Sequence, residues 1–114
     1  MTELLTFEVE GDEGAIIVRA RGEIDVLTAP SLGEIIESTA TTNPRAVLIL
    51  DLTGVTFLAS AGLAMLARSS ESLEGRARFI VIADGPVTVR PIELAGLNDA
   101  FEVFPTVEAA LATV

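Results

Sequence analysis

The chain has 114 residues, which suits one domain with its own hydrophobic core and is too short for two. Seven arginines oppose 17 acidic residues, so the net charge is −10 at pH 7, and the absence of a basic run argues against binding of nucleic acid or an anionic membrane. There is no His, Cys or Lys, which removes imidazole and thiolate catalysis, the usual zinc ligands and the lysine of phosphate loops. We therefore expect neither an enzyme nor a metal or cofactor site.

The amino-terminal residues do not resemble a secretory signal. Residues 1–5 carry an acid where such a signal carries positive charge. The longest uncharged stretch, 52–67, contains Gly, Thr and Ser and is shorter than the roughly 20 apolar residues of a membrane-spanning helix. We expect a cytoplasmic protein.

The first third of the chain predicts a hairpin followed by a helix. Residues 5–10 alternate between apolar and polar, residues 11–14 are typical of a turn, and residues 15–20 are again rich in strand-forming residues. A helix is predicted to start at 28–31, where a hydroxyl precedes Pro30, because Leu32, Ile35 and Ile36 then recur at helical spacing. Asn43-Pro44 ends it.

The remainder alternates between strands and helices. Residues 46–50 predict a buried strand that ends at Asp51, with a loop at Thr53-Gly54 and a helix that Ser60 opens and that closes before Gly75. Next come a predicted strand at 78–83 and a turn at 84–86. A helix is predicted from position 90 or 91 to 96, followed by an edge strand at 100–104 and a final helix at 106–114. The order β-β-α-β-α-β-α-β-α predicts one α/β domain over residues 1–114, with a mixed, mainly parallel sheet of four to five strands and about four helices.

Asp25 is the first candidate for a functional group. It lies between the second strand and the first helix, where a carboxylate could bind a cation or contact a partner. The spacing favours a structural role, because Asp commonly forms turns and accepts hydrogen bonds from nearby backbone N–H groups.

Asp51, at the end of a buried strand, invites comparison with the phosphoacceptor of response-regulator receivers. Such a site needs further acids for Mg²⁺ and normally a lysine, which this chain lacks. We expect Asp51 to satisfy loop N–H groups instead.

Ser60 is the third candidate, at the predicted start of a helix that carries little charge. Its simplest role is that of an N-cap, whose hydroxyl accepts a hydrogen bond from an N–H two or three residues on. A phosphate would also be tolerated there, beside the free N–H groups at the positive end of the helix dipole. It would add about −1.5 to −2 charge to a surface of Ala, Gly and Leu, which suggests a binding switch.

Two segments of the chain resemble one known family. Residues 22–30, Gly-Glu-Ile-Asp-Val-Leu-Thr-Ala-Pro, look like the first signature of the bacterial anti-sigma factor antagonists, members of the STAS (sulfate transporter and anti-sigma factor antagonist) domains. Residues 51–63, Asp-Leu-Thr-Gly-Val-Thr-Phe-Leu-Ala-Ser-Ala-Gly-Leu, look like the second and more specific signature. Residues 94–111 also resemble the ending of the family, so the resemblance covers essentially the whole chain and implies the STAS fold.

The resemblance implies a partner switch without a cofactor. In the family, a serine-kinase anti-sigma factor phosphorylates the serine that matches Ser60. The unphosphorylated antagonist binds this kinase and frees a sigma factor, phosphorylation ends the complex, and a serine phosphatase acts on the phosphorylated form to restore the binding-competent one. The partner-binding residues implied here are Asp25, Thr28, Ala59, Ser60, Ala61, Gly62 and Leu63. The apolar surface near Leu63 suits either a partner or a weak dimer.

Two positions depart from the family pattern. The acid that precedes the phosphorylated serine is replaced by Ala59 here, and Pro91 interrupts the region of the third helix, which we expect to be shorter or displaced.

The loss of the acid before Ser60 keeps two alternative functions open. One is a STAS interaction module that phosphorylation does not regulate. The other is a STAS domain that binds a nucleotide or another anion at the helix near Ser60, against which the negative net charge and the lack of a glycine-rich phosphate loop weigh.

Overall fold

A computed structural model describes residues 5–12 and 14–114 as a single five-stranded sheet with helices on both of its faces. The strands are β1 (Leu5–Asp12), β2 (Ala15–Ile24), β3 (Val47–Leu58), β4 (Arg78–Ile82) and β5 (Glu102–Phe104). The helices are α1 (Ala29–Thr42), α2 (Ser60–Leu73), α3 (Val89–Leu94) and α4 (Val107–Leu111), with a short 3₁₀ helix at Leu97–Asp99. Residues 1–4, on which the argument about a secretory signal rests, and Glu13, in the predicted turn, lie outside the described residues.

The strand order is β1-β2-β3-β4-β5, in which β1 is antiparallel to β2 and the other neighbours are parallel. The predicted hairpin and the predicted mixed, mainly parallel α/β sheet are therefore confirmed. Within the described residues, no helix is long and apolar enough to cross a membrane.

The two faces of the sheet differ in how they are covered. On the first face, α1, α2 and α3 bury the larger apolar cluster, which includes Ile24, Leu50 and Leu66. On the second face, the five residues of α4 cover a smaller cluster around Ile49 and Ile80. Because α4 packs on β3, β4 and β5, β1 and the carboxyl ends of β2 and β3 extend beyond it.

β3 is much longer than the sequence predicts. The predicted loop at Thr53-Gly54 is wrong, because the strand continues to Leu58 through two β-bulges, each of which places one extra residue on β3 opposite β2. Asp51 holds the first bulge: its Oδ1 accepts hydrogen bonds from Thr53 N–H at 2.9 Å and from the Thr53 hydroxyl at 2.8 Å. The expectation that Asp51 satisfies local N–H groups is confirmed, inside a strand rather than in a loop.

Other boundaries differ by a few residues. β1 runs on to Asp12, so the predicted turn begins later than expected, and β2 runs on to Ile24, beyond its predicted end at position 20. The final helix ends earlier than predicted, at Leu111. α3 has six residues and begins at Val89, which makes Pro91 its third residue, where a helix needs no N–H donor.

Candidate functional site

Three loops leave the sheet at the same edge, because β2, β3 and β4 are parallel and each is followed by a helix. These loops lead into α1, α2 and α3. In open α/β sheets, binding sites are commonly built from such loops beyond the carboxyl ends of the strands. The predicted partner-binding residues lie in the β2–α1 loop, at 25–28, and where β3 passes into α2, at 59–63.

The β2–α1 loop is fixed by hydrogen bonds between Asp25 and Thr28. Asp25 Oδ1 accepts from Leu27 N–H at 2.9 Å and from Thr28 N–H at 3.1 Å. The Thr28 hydroxyl accepts from Asp25 N–H at 2.9 Å and donates to the Glu23 carbonyl at 2.8 Å. The local structural role expected for Asp25 is confirmed, and its predicted contact with a partner stays a prediction.

This rigid loop presents two apolar side chains that the sequence analysis missed. Val26 is 72% exposed and Leu27 is 76% exposed. Large apolar side chains held in water by an ordered turn are typical of a surface that a partner covers. A signal existed in the sequence, since two large apolar residues stand between a turn-forming Asp and a helix start.

The neighbouring β3–α2 connection is attached to the end of β2. Ala59 N–H donates to the Ile24 carbonyl at 2.9 Å, so the loop that carries Val26 and Leu27 begins beside the start of α2. The Ala59 carbonyl accepts the first helical hydrogen bonds, from Gly62 N–H at 2.9 Å and Leu63 N–H at 3.1 Å. Ala59 is thus the last extended residue and the N-cap.

Ser60 is the first residue of α2 and is exposed. Its prediction as the N-cap is wrong by one residue, because the bond from Ala59 to Ile24 keeps Ala59 extended and the helix starts after it. Alanine has no side-chain acceptor, so the Ser60 and Ala61 amides, which precede the first intrahelical bonds, have no capping side chain at position 59. The first turn, 60–63, carries no charged side chain. The start of α2 therefore combines a surface hydroxyl group with backbone amides that favour the binding of an anion.

Gly62 and Leu63 differ in exposure. Gly62 is buried, and a Cβ added there would lie 2.6 Å from Leu58 Cδ1 and 2.7 Å from Ile24 Cγ2. Leu63 is half-buried and packs against the core. Gly62 therefore lets α2 approach the ends of β2 and β3 closely, which positions Ser60.

We call the exposed part of this region the Ser60 surface; it is formed by Val26, Leu27, Ser60, Ala61 and Leu63. The side chain of Phe57, three residues before Ser60, is 50% exposed and was also missed by the sequence analysis. Ala61 and Leu63 are only partly exposed, so Val26 and Leu27 supply most of the freely accessible apolar surface.

Asp51 does not belong to this surface. It is buried, and its second carboxylate oxygen lies 3.5 Å from Arg19 Nε. Within residues 5–12 and 14–114, no three acidic side chains come together in a way that could hold a metal ion. The role of Asp51 is therefore structural: it holds the first bulge of β3 through its hydrogen bonds with Thr53.

Comparisons with known proteins agree on one family. Residues 6–110 match the STAS domain. The chain is 42% identical over 110 residues to the anti-sigma-F factor antagonist RsfB of Mycobacterium tuberculosis, covering 96% of this chain and 89% of that protein. The crystal structure of an anti-sigma factor antagonist from Mycobacterium paratuberculosis is also 42% identical, with a TM-score of 0.89 over 96% of this chain and 93% of that one.

A more distant similarity concerns the fold alone. SpoIIAA, an anti-sigma factor antagonist, is 18% identical in both of its solved forms. The unphosphorylated form gives a TM-score of 0.74 over 93% of this chain and 93% of that one. The phosphorylated form from Bacillus gives 0.69 over 95% of this chain and 98% of that one.

Proposed function

Because this chain belongs to the STAS domain family, with anti-sigma factor antagonists as relatives, we propose that it is an anti-sigma factor antagonist whose binding is controlled at Ser60. In this proposal the unphosphorylated protein binds a serine-kinase anti-sigma factor in the cytoplasm and thereby releases a sigma factor. Phosphorylation of Ser60 ends the complex, and a serine phosphatase restores binding.

The exposed position of Ser60 at the start of α2, beside Val26 and Leu27, is the observation that supports this proposal most directly. An apolar partner surface would gain from covering Val26 and Leu27, at about 25 cal/mol for each Å² of apolar area removed from water. A phosphate on Ser60 would bring about −1.5 to −2 charge to the same contact. Burying that charge without a counterion is costly. The same surface would therefore bind the partner when Ser60 is unphosphorylated and lose it when Ser60 carries a phosphate.

The uncharged residue Ala59 is compatible with phosphorylation on physical grounds. An acid at the N-cap would bind the first-turn amides of α2 itself and would repel a phosphate on the next residue. With Ala59 at the N-cap, those amides remain available to the phosphate oxygens. The phosphorylated serine would then supply the cap that the unmodified helix lacks.

Localisation of the phosphate tests this proposal. The protein is incubated with ATP and a purified serine-kinase anti-sigma factor from the same host, and the modified residue is identified by mass spectrometry. We expect one phosphate on Ser60 and none on the Ser60→Ala protein. Ser31, which is exposed near the start of α1, provides a matched control, because Ser31→Ala should not reduce incorporation. Phosphate on the Ser60→Ala protein would show that another residue is the acceptor.

Ala59 also supports a second candidate, a STAS interaction module that binds its partner without phosphorylation. If the kinase needs an acid at position 59, the wild-type protein should stay unmodified in the assay above while the Ala59→Asp protein accepts phosphate. Binding of the wild-type protein to the anti-sigma factor with no modification under any condition would favour this candidate.

A further inference from the structure

The second face of the sheet carries an exposed aromatic ring beside a carboxylate. Phe57 on β3 is the direct register partner of Glu23 on β2. The next pair, Leu58 and Ile24, is buried in the core under α2. Because successive side chains of a strand point to opposite faces, Phe57 and Glu23 both point away from that core, on strands about 4.8 Å apart.

The position of the ring follows from the second bulge of β3. Gly22 pairs with Val55 and Glu23 pairs with Phe57, so Thr56 is the extra residue between them. If β3 were a regular strand from Val55 onward, Phe57 would point to the same face as Val55, into the core, because side chains two residues apart share a face. The chain thus places an aromatic side chain in water that an unbulged strand would bury, and it is 50% exposed there.

The neighbouring charges leave the carboxylate of Glu23 available. The ion pairs within residues 5–12 and 14–114 are Arg19–Glu10, Arg19–Asp51, Arg76–Glu37 and Arg78–Glu102, and Glu23 takes part in none of them. Arg21 lies on the same face, but its side chain crosses β3 at Gly54, where an added Cβ would lie 2.9 Å from Arg21 Cγ.

The uncovered part of this face carries Glu8, Glu10 and Glu23 against Arg19 and Arg21, whereas Asp51 is buried beside Arg19. Since the whole chain also has a net charge of −10, a positively charged side chain of a partner would be attracted to this face.

We propose that the Phe57–Glu23 pair binds an arginine side chain of the anti-sigma factor, which extends the contact from the Ser60 surface onto the second face of the sheet. This inference rests on the proposed function, because it assigns a contact to that partner. A guanidinium group can lie flat on the ring of Phe57 while its N–H groups donate to the carboxylate of Glu23. Lysine fits less well, since its ammonium group is compact, strongly hydrated and not planar.

The proximity of Phe57 to Ser60 supports one continuous contact. Phe57 ends the exposed part of β3, and only Leu58 and Ala59 separate it from Ser60. A partner that covers Ser60 therefore reaches the ring by passing over the edge of the sheet.

Calorimetric titration with the purified serine-kinase anti-sigma factor of the host tests the inference. We expect Phe57→Ala and Glu23→Gln each to weaken binding about tenfold, and Glu23→Gln also to reduce the dependence of binding on salt. Phe57→Leu should weaken binding to a similar degree, because leucine keeps apolar area but has no ring face for a guanidinium. Val9→Ala, an exposed apolar residue on β1, and Glu108→Gln, an exposed acid on α4, are matched controls that should bind like the wild type.

The results separate the inference from the function on which it rests. Wild-type affinity of the Phe57→Ala and Glu23→Gln proteins would overturn the inference and leave the proposed function standing. Wild-type affinity of the Phe57→Leu protein alone would overturn the arginine assignment. Failure of the wild-type protein to bind the anti-sigma factor would overturn the proposed function, and this inference with it. Melting curves of each variant establish that it is folded.

Discussion

At the scale of single residues, the first turn of α2 combines a missing cap, an exposed hydroxyl and a glycine that no other residue can replace without rearrangement. Ala59 is the N-cap, Ser60 is the exposed hydroxyl, and Gly62 lies against Leu58 and Ile24. The sequence predicts the location of this turn, because the second signature spans it. It did not predict the N-cap, which depends on the long-range bond from Ala59 to Ile24.

Gly62→Ala should destabilise the protein by about 1–3 kcal/mol, because the new methyl group would overlap the side chains of Leu58 and Ile24, which are themselves buried. Urea unfolding measures the change. Gly33→Ala in α1 is the matched control: its methyl group would meet only the flexible Met65 side chain, with Cγ at 3.2 Å, and the helix would gain up to about 1 kcal/mol. Equal stability of the Gly62→Ala protein and the wild type would contradict the close packing of α2.

Ala59→Asp should raise the free energy of unfolding by about 1 kcal/mol, because the carboxylate can accept hydrogen bonds from the first amides of α2. The same change at Ala64, an exposed position inside α2, should not stabilise the protein, since Asp is a poor residue for a helix interior. Thermal unfolding of the two variants makes the comparison. A gain at position 64 as large as that at position 59 would show that capping is not the cause.

At the scale of elements, the loops before α1 and α3 share one backbone pattern but differ in their hydrogen bonds. Ala29 N–H donates to the Asp25 carbonyl, and Val89 N–H donates to the Gly85 carbonyl in the same way. Thr28 and Thr88 then occupy equivalent positions before the two helices.

The hydroxyl groups of these two threonines have different surroundings. The Thr28 hydroxyl bonds to Asp25 N–H and the Glu23 carbonyl, whereas the Thr88 hydroxyl is buried and has no partner among residues 5–12 and 14–114. Gly85, with φ of 92°, stands in the second loop where Asp25 stands in the first. The second loop therefore lacks the side chain that organises the first.

Replacement of each threonine by valine should have opposite effects. Thr28→Val should lower the free energy of unfolding by about 1–2 kcal/mol, because it removes two hydrogen bonds and leaves Asp25 N–H without its acceptor. Thr88→Val should raise it by up to about 1 kcal/mol, because valine has a similar shape and no polar atom to desolvate. Denaturant titrations of both proteins measure the two changes in the free energy of unfolding. A Thr88→Val protein less stable than the wild type would contradict the prediction.

Local sequence pattern predicted most elements but not the length of β3. The helix α2 and the β1–β2 hairpin were predictable, because helical spacing of Leu63 and Leu66 and the alternation in β1 are local properties. Thr53-Gly54 has the composition of a loop. Its strand conformation depends on pairing with Arg21 and on the bonds from Asp51 to Thr53, which local composition does not reveal.

At the scale of the whole molecule, the parallel order of β2, β3 and β4 brings segments that are distant in sequence to one edge. The signatures predicted that Asp25 and Ser60 belong together, and the bond between Ala59 and Ile24 joins their two loops. Val26, Leu27 and Phe57 were missed, because apolar residues are expected in a core and their exposure depends on turn and bulge geometry. The candidate surface was thus predictable in its location and only partly in its members.

The central claim is that Ser60 controls binding of a serine-kinase anti-sigma factor, and one measurement tests it most directly. Calorimetric titration of the purified host kinase is compared for the wild-type, Ser60→Ala and Ser60→Glu proteins. We expect the wild type and Ser60→Ala to bind with similar affinity and Ser60→Glu to bind at least about tenfold more weakly, although Glu carries less charge than phosphate. Equal binding by all three proteins, or no binding by the wild type, would contradict the claim.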